Sequence, residues 1–115
     1  MEGTTIYTVK ITPEAKKYYY DVLEYFYEHC SEESANKKSD ELLDLAIKLE
    51  NNPSKGRIEN KLKSLGRNHR FILYYYTISK AIKIIYYIDE ERKTVYVTDF
   101  FPCESDDKKI SKRSI

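Results

Sequence analysis

Tyr7-Thr8-Val9-Lys10-Ile11-Thr12-Pro13-Glu14-Ala15 changes its period halfway along, and the rest of the chain is organised around that change. Tyr7, Val9 and Ile11 alternate with Thr8 and Lys10, which is the two-residue period of a half-buried strand. Thr12 can cap a helix. Pro13 suits the first helical position, where a missing N–H costs nothing, and Glu14 complements the positive end of the helix dipole. From there Ala15, Tyr19, Val22, Phe26 and Cys30 recur every three or four residues, with Tyr18 and Leu23 widening the stripe. The spacing predicts an amphipathic helix directly after the first strand.

Ser31-Glu32-Glu33 supplies a second cap with two acids in the first turn, and Ala35, Leu42, Leu43, Ala46 and Leu49 form one apolar face. Asn51-Asn52-Pro53 ends this second helix, because the residue before a proline avoids the helical region. With so little chain between them, the two helices are expected to fold back as a hairpin. Ser54 to Asn68, with Gly56 and Gly66, reads as an exposed loop pinned by Leu62 and Leu65. Three strands rich in Ile, Val, Tyr and Thr follow: Phe71 to Thr77, Lys80 to Ile88, and Thr94 to Phe101. The expected architecture is α+β in the order β-α-α-β-β-β. The helical hairpin covers one face of an antiparallel sheet, and the other face is free to bind. One domain spans 1–115, with a polar tail, mobile or briefly helical, from about 102.

At 115 residues the chain is too short for two ordinary domains, and 41% hydrophobic with 34% charged residues excludes a disordered tail. Met1-Glu2-Gly3-Thr4-Thr5 shows no basic stretch followed by an apolar run, and no stretch is long enough to span a bilayer. No membrane association is expected, and the cytoplasm is the expected location. Cys30 and Cys103 are far apart and read as two reduced thiols. The net charge of +1 conceals a polarity: Glu14 to Glu50 carries ten acids against five bases, whereas Asn51 to Phe71 carries six bases against Glu59 alone. One acidic and one basic face are expected, the basic one able to meet phosphates or an acidic protein.

No GxSxG, Walker loop, HExxH or cluster of metal ligands is present, so no metal and no cofactor are implied. His29 and His69 read first as solvated surface residues, with a place in a site as the lesser alternative for His69. Twelve tyrosines stand against no tryptophan. Tyr18-Tyr19-Tyr20 wraps around a helix, and Tyr74-Tyr75-Tyr76 must point to both faces of a strand. Such tyrosines either pack or, on an open sheet face, form a platform for bases or a partner peptide. Arg57, Lys61, Lys63, Arg67 and Arg70 are the candidates for contacts to phosphate or to an acidic partner.

Three runs resemble the RelE/ParE toxin superfamily: Val9-Lys10-Ile11-Thr12-Pro13-Glu14-Ala15 at its opening, Leu49 to Arg57 with the spacing L-x-x-x-P-x-x-G-R, and Lys83 to Asp89 followed by Thr94-Val95-Tyr96-Val97. Together they cover Tyr7 to about Phe101. The resemblance implies the toxin of a type II toxin–antitoxin (plasmid stabilisation) module, neutralised by a cognate antitoxin that wraps around it. RelE-like members cut messenger RNA on the ribosome, and ParE-like members poison DNA gyrase without nuclease activity. Glu104, Asp106 and Asp107 after the last strand would repel a phosphodiester, and Lys83 stands where the family often has arginine, losing the forked geometry. The resemblance therefore points first to the ParE-like, gyrase-binding branch and second to the RelE-like endoribonuclease. A non-toxic RNA- or protein-binding domain is the remaining alternative. A nuclease would use Arg57, Lys61, Lys63, Arg67 and Arg70, with Tyr86 or Tyr87 moving a proton. A binding toxin would use Arg57, Arg67, Arg70 and Lys83, with Tyr20, Leu23 and Tyr27 or the sheet edge receiving the antitoxin.

Overall fold

The step at Thr12 forms as its chemistry dictates. β1 (Thr8–Ile11) ends where the Thr12 hydroxyl accepts the Ala15 N–H at 3.2 Å and α1 (Pro13–His29) begins. Ser31 caps α2 (Glu32–Ile47) in the same way, accepting the Ser34 N–H at 3.2 Å. The computed structural model of the chain describes residues 6–105 and 108–113. Beyond α2 come 3-10 turns at Lys48–Glu50, Pro53–Lys55 and Asn60–Leu65, with β2 (Arg57–Ile58) between the second and third. β3 (Arg70–Tyr75), β4 (Ala81–Asp89), β5 (Thr94–Pro102) and a short α3 (Lys109–Arg113) complete the order.

The α+β class and the helical hairpin on one sheet face are as expected, but the sheet differs in two respects. It has five strands in the order β1-β5-β4-β3-β2, and β1 runs parallel to β5. Strands β2 to β5 pair antiparallel with neighbours close in sequence. β1 has no such neighbour and fills the outer edge of β5, fixed by Thr8 N–H to Lys93 O (2.9 Å) and Thr12 N–H to Val97 O (3.0 Å). The stretch from Ser54 to Asn68 is not a loop throughout, since it contains β2 and a 3-10 turn. Leu62 pins it to the core as expected, whereas Leu65 is exposed.

Val22, Phe26, Leu42 and Ala46 of the helices pack on Ile82, Ile84, Tyr86, Val95, Val97 and Phe100. This cluster is the main core. Burying a side chain such as Phe26 contributes roughly 1.5–3 kcal/mol. The opposite face is not wholly free. Leu62, Ile85, Phe101 and Ile110 form a second cluster there, so the third 3-10 turn and α3 cover one end of it. The tail that was expected to be mobile or briefly helical is thus partly a docked helix. A shift of register at Ile85/Tyr86 leaves Thr98 as an extra residue in β5. It lets Val97 pair with Tyr86 towards the helices while Asp99 pairs with Ile85 on the outer face. Among the described residues, no helix is long and apolar enough to cross a membrane, and no group of three His, Cys, Asp or Glu could hold a metal ion.

Candidate functional site

The end of the outer face left uncovered is built around Tyr87. In the β4–β5 register Tyr87 lies opposite Tyr96, and their rings stack at 5.2 Å and 27°. The chain reaches β3 through two left-handed residues, Gly66 (φ 72°) and Asn68 (φ 54°). Glycine and asparagine tolerate this region best. Arg67, held between them, lies along Tyr87. Its Nη1 donates to the Tyr87 hydroxyl at 2.9 Å, and its guanidinium carbon is 4.9 Å from the ring centre. His69 precedes β3 by one residue and meets the edge of Tyr87 at 5.2 Å and 64°. Leu65, Arg67, His69, Tyr87 and Thr98 line a hollow of about 220 Å³.

His69 was expected on the surface, but only 3% of it is exposed and its Nδ1 has no hydrogen-bond partner among the described residues. Protonation would place an unsatisfied charged N–H in that environment. Burial first, and the Arg67 charge second, hold its pKa below the usual 6.5, opposed by Glu59. The imidazole is therefore neutral near pH 7 and able to accept a proton. Glu59 is itself buried and neutralised. Lys83 Nζ lies 2.7 Å from its Oε1, and the Lys61 N–H donates to Oε2 at 3.1 Å. The Glu59 N–H donates to the His69 carbonyl at 2.8 Å and so fixes the approach of His69 to the strand. A guanidinium, a neutral imidazole and a phenol around one hollow suit a phosphodiester, which needs positive charge and a proton acceptor.

Nothing matches the chain among protein-family models, curated proteins or solved structures. The assignment of roles rests on geometry, which divides the expected residues. Arg67 and Tyr87 reach the hollow. Arg57 is exposed on β2 at the sheet edge, and Lys61 and Lys63 are exposed on the neighbouring 3-10 turn. Arg70 instead braces the polypeptide, its Nη1 donating to Gly56 O at 2.8 Å and Ser54 O at 3.4 Å. Lys83 is committed to Glu59 and lies over the Phe71 ring at 4.4 Å.

Tyr86 is fully buried on the helix side. Its hydroxyl accepts the Gly56 N–H at 3.0 Å and donates to the Pro53 carbonyl, so it has no part in the outer site. A Cβ on Gly56 would sit 2.4 Å from that hydroxyl and 2.8 Å from Phe71 O, which is why glycine stands there. Tyr20 and Tyr27 are exposed on α1 and Leu23 is half-buried, with the Tyr27 hydroxyl donating to Asn36 Oδ1. His29 is exposed, as expected, and stacks on Tyr25 at 4.3 Å. Glu104 accepts the Tyr76 hydroxyl and does not line the hollow. Asp106 and Asp107 lie outside the described residues. Thr98 was not foreseen as a site residue, and His69 only as the lesser alternative to a surface position. For His69 a signal existed, because it shares the two-residue period of Phe71, Leu73 and Tyr75.

Proposed function

We propose that this chain is the toxin of a type II toxin–antitoxin pair of the RelE/ParE kind, acting in the cytoplasm as a RelE-like endoribonuclease on ribosome-bound messenger RNA and neutralised by a cognate antitoxin. The observation that carries the nuclease reading is the buried, neutral imidazole of His69 beside Arg67 in an open hollow. His69 accepts the proton of a ribose 2′-hydroxyl as that oxygen bonds to phosphorus. The bond from phosphorus to the 5′-oxygen breaks, and the leaving oxygen takes a proton from the Tyr87 hydroxyl. Arg67, donating to the Tyr87 oxygen, stabilises the resulting phenolate and the charge building on the phosphoryl oxygens. The products are a 2′,3′-cyclic phosphate and a 5′-hydroxyl. Solvent returns the proton from His69 to Tyr87. Glu104, which as a carboxylate argued against nuclease chemistry, is engaged with Tyr76 instead.

A second reading, a ParE-like protein that binds DNA gyrase without chemistry, is favoured by Tyr20 and Tyr27 exposed on the outer side of α1. The test is to produce the chain in bacteria and map RNA ends. The nuclease reading expects growth arrest with cuts inside translated messages, and at least about a hundredfold fewer cuts with Arg67→Gln. Arrest with intact messages and trapped DNA breaks would replace it with the gyrase reading.

A further inference from the structure

A second hollow, of about 280 Å³, lies between α1 and the stretch where β5 passes into the tail. Tyr18, Asp21 and Tyr25 reach it from α1, where spacings of three and four residues put them on one stripe of the helix. Tyr76, just after β3, and Glu104, after β5, close it from the other side. Buried Val22, Ile82 and Phe100 supply an apolar floor. The Tyr25 and Tyr76 rings stand 6.1 Å apart with their planes at 75°, so they form adjoining walls. The Tyr76 hydroxyl donates to Glu104 and fixes that carboxylate at the rim. Asp21 and Glu104 are exposed, and among the described residues neither makes an ion pair. Arg113 also reaches the hollow, but it is committed to Asp99 at 2.7 Å and lies 3.8 Å from the centre of the Tyr18 ring.

We propose that this hollow binds a small organic cation, an amine with an apolar body, its ammonium between Asp21 and Glu104 and its body on Ile82 and Phe100. An aromatic face attracts a cation through its negative quadrupole, and the attraction grows where water is excluded. Tyr18 already holds the Arg113 guanidinium in this way, and Tyr25 and Tyr76 present the same kind of surface to a ligand. Charge decides between ligands of equal size. With Arg113 neutralised by Asp99, the lining carries two uncompensated carboxylates. An anion is therefore repelled, and a neutral molecule gains only burial. The volume stands just below the roughly 300–1,000 Å³ usual for ligand sites, which limits the body to a single ring. The inference stands apart from the nuclease reading, since the two hollows share no lining residue.

The probe is phenethylamine, titrated into the intact chain while side-chain resonances are followed by NMR, with phenethyl alcohol and hydrocinnamate as neutral and anionic counterparts. Saturable shifts at Tyr25, Tyr76 and Phe100 are expected for the amine, with affinity at least about tenfold weaker for either counterpart, a difference of about 1.4 kcal/mol. Asp21→Asn/Glu104→Gln should weaken amine binding by a similar factor and leave the alcohol unchanged. Both positions are exposed, and glutamine keeps an acceptor for the Tyr76 hydroxyl, so the wall stays in place. Amine affinity should also fall as salt rises. No saturable shift at these rings with the amine would overturn the proposal. Equal affinity for the alcohol, or unchanged amine binding by the double variant, would overturn it too, because the hollow would then select for burial alone.

Discussion

The two faces of the sheet solve the same burial problem in different ways. On the helix side, buried polar groups are few and satisfied. The Ser39 hydroxyl donates to Ala35 O at 2.7 Å, the Tyr74 hydroxyl donates to Glu41 at 2.7 Å, and the Tyr86 hydroxyl is held between Gly56 and Pro53. On the outer face, Glu59, His69 and Asp99 are buried, and some of their polar atoms are left alone. Among the described residues, the buried side-chain atoms without a partner are His69 Nδ1, Asp99 Oδ2 and Arg113 Nε. Arg113 connects the two sides, pairing with Asp99 at 2.7 Å while its guanidinium lies 3.8 Å from the centre of the Tyr18 ring on α1. A folding core gains nothing from orphaned polar atoms, since each costs about 1–3 kcal/mol. Two of these atoms, His69 Nδ1 and Asp99 Oδ2, lie on the outer face, the side on which the proposed chemistry is placed, while the helix side serves as scaffold.

The largest expected effect tests the scaffold. Phe26 is fully buried among Val22, Tyr76 and the sheet, and Phe26→Ala is expected to cost about 3–5 kcal/mol by denaturant unfolding. A loss under about 1 kcal/mol would remove the distinction between the faces.

The next effect is a pH dependence carried by the outer face. Burial raises Asp99 to about 6 despite the opposing Arg113 charge. A group raised in the folded state contributes stability that is fully present below its ordinary 3.8 and lost as pH rises through about 6. The contribution is at most about 3 kcal/mol. His69, depressed in the folded state, acts in the other direction, its contribution being present above 6.5 and lost on acidification. Half-buried Asp89 and exposed Glu90, both lowered by their neighbours, also favour the folded state at higher pH. The difference between wild type and Asp99→Asn isolates the Asp99 contribution. Relative to wild type, Asp99→Asn should lose its disadvantage or gain stability as pH rises from 4 to 6.5. A constant difference across that range would show that Asp99 does not titrate there.

Much of the scaffold was legible in sequence because its signals are local. Thr12 and Ser31 announce their helices, and the strand period of Ile82 to Ile88 shows through despite the bulge. The parallel β1–β5 pair was not legible, because register between segments more than eighty residues apart leaves no local mark. β2 is too short to show a period. The basic run looked like one cluster, yet side-chain direction divides it: Arg67 faces Tyr87, while Arg70 turns to the carbonyls of Ser54 and Gly56. Tyr86 and Tyr87 are adjacent and chemically identical. Their position in the pleat alone puts one in the core and the other in the hollow.

The smallest expected effect on stability accompanies the sharpest expected effect on function. His69→Phe replaces a buried ring that has an orphan nitrogen with an apolar ring, so the unfolding free energy should stay within about 1 kcal/mol of wild type. Growth arrest by this variant, measured at equal levels of folded protein, tests the division between the faces most directly. Loss of arrest with stability retained is the expected result, because the proton acceptor is gone while the fold is intact. Arrest equal to wild type would contradict it and leave His69 as packing alone.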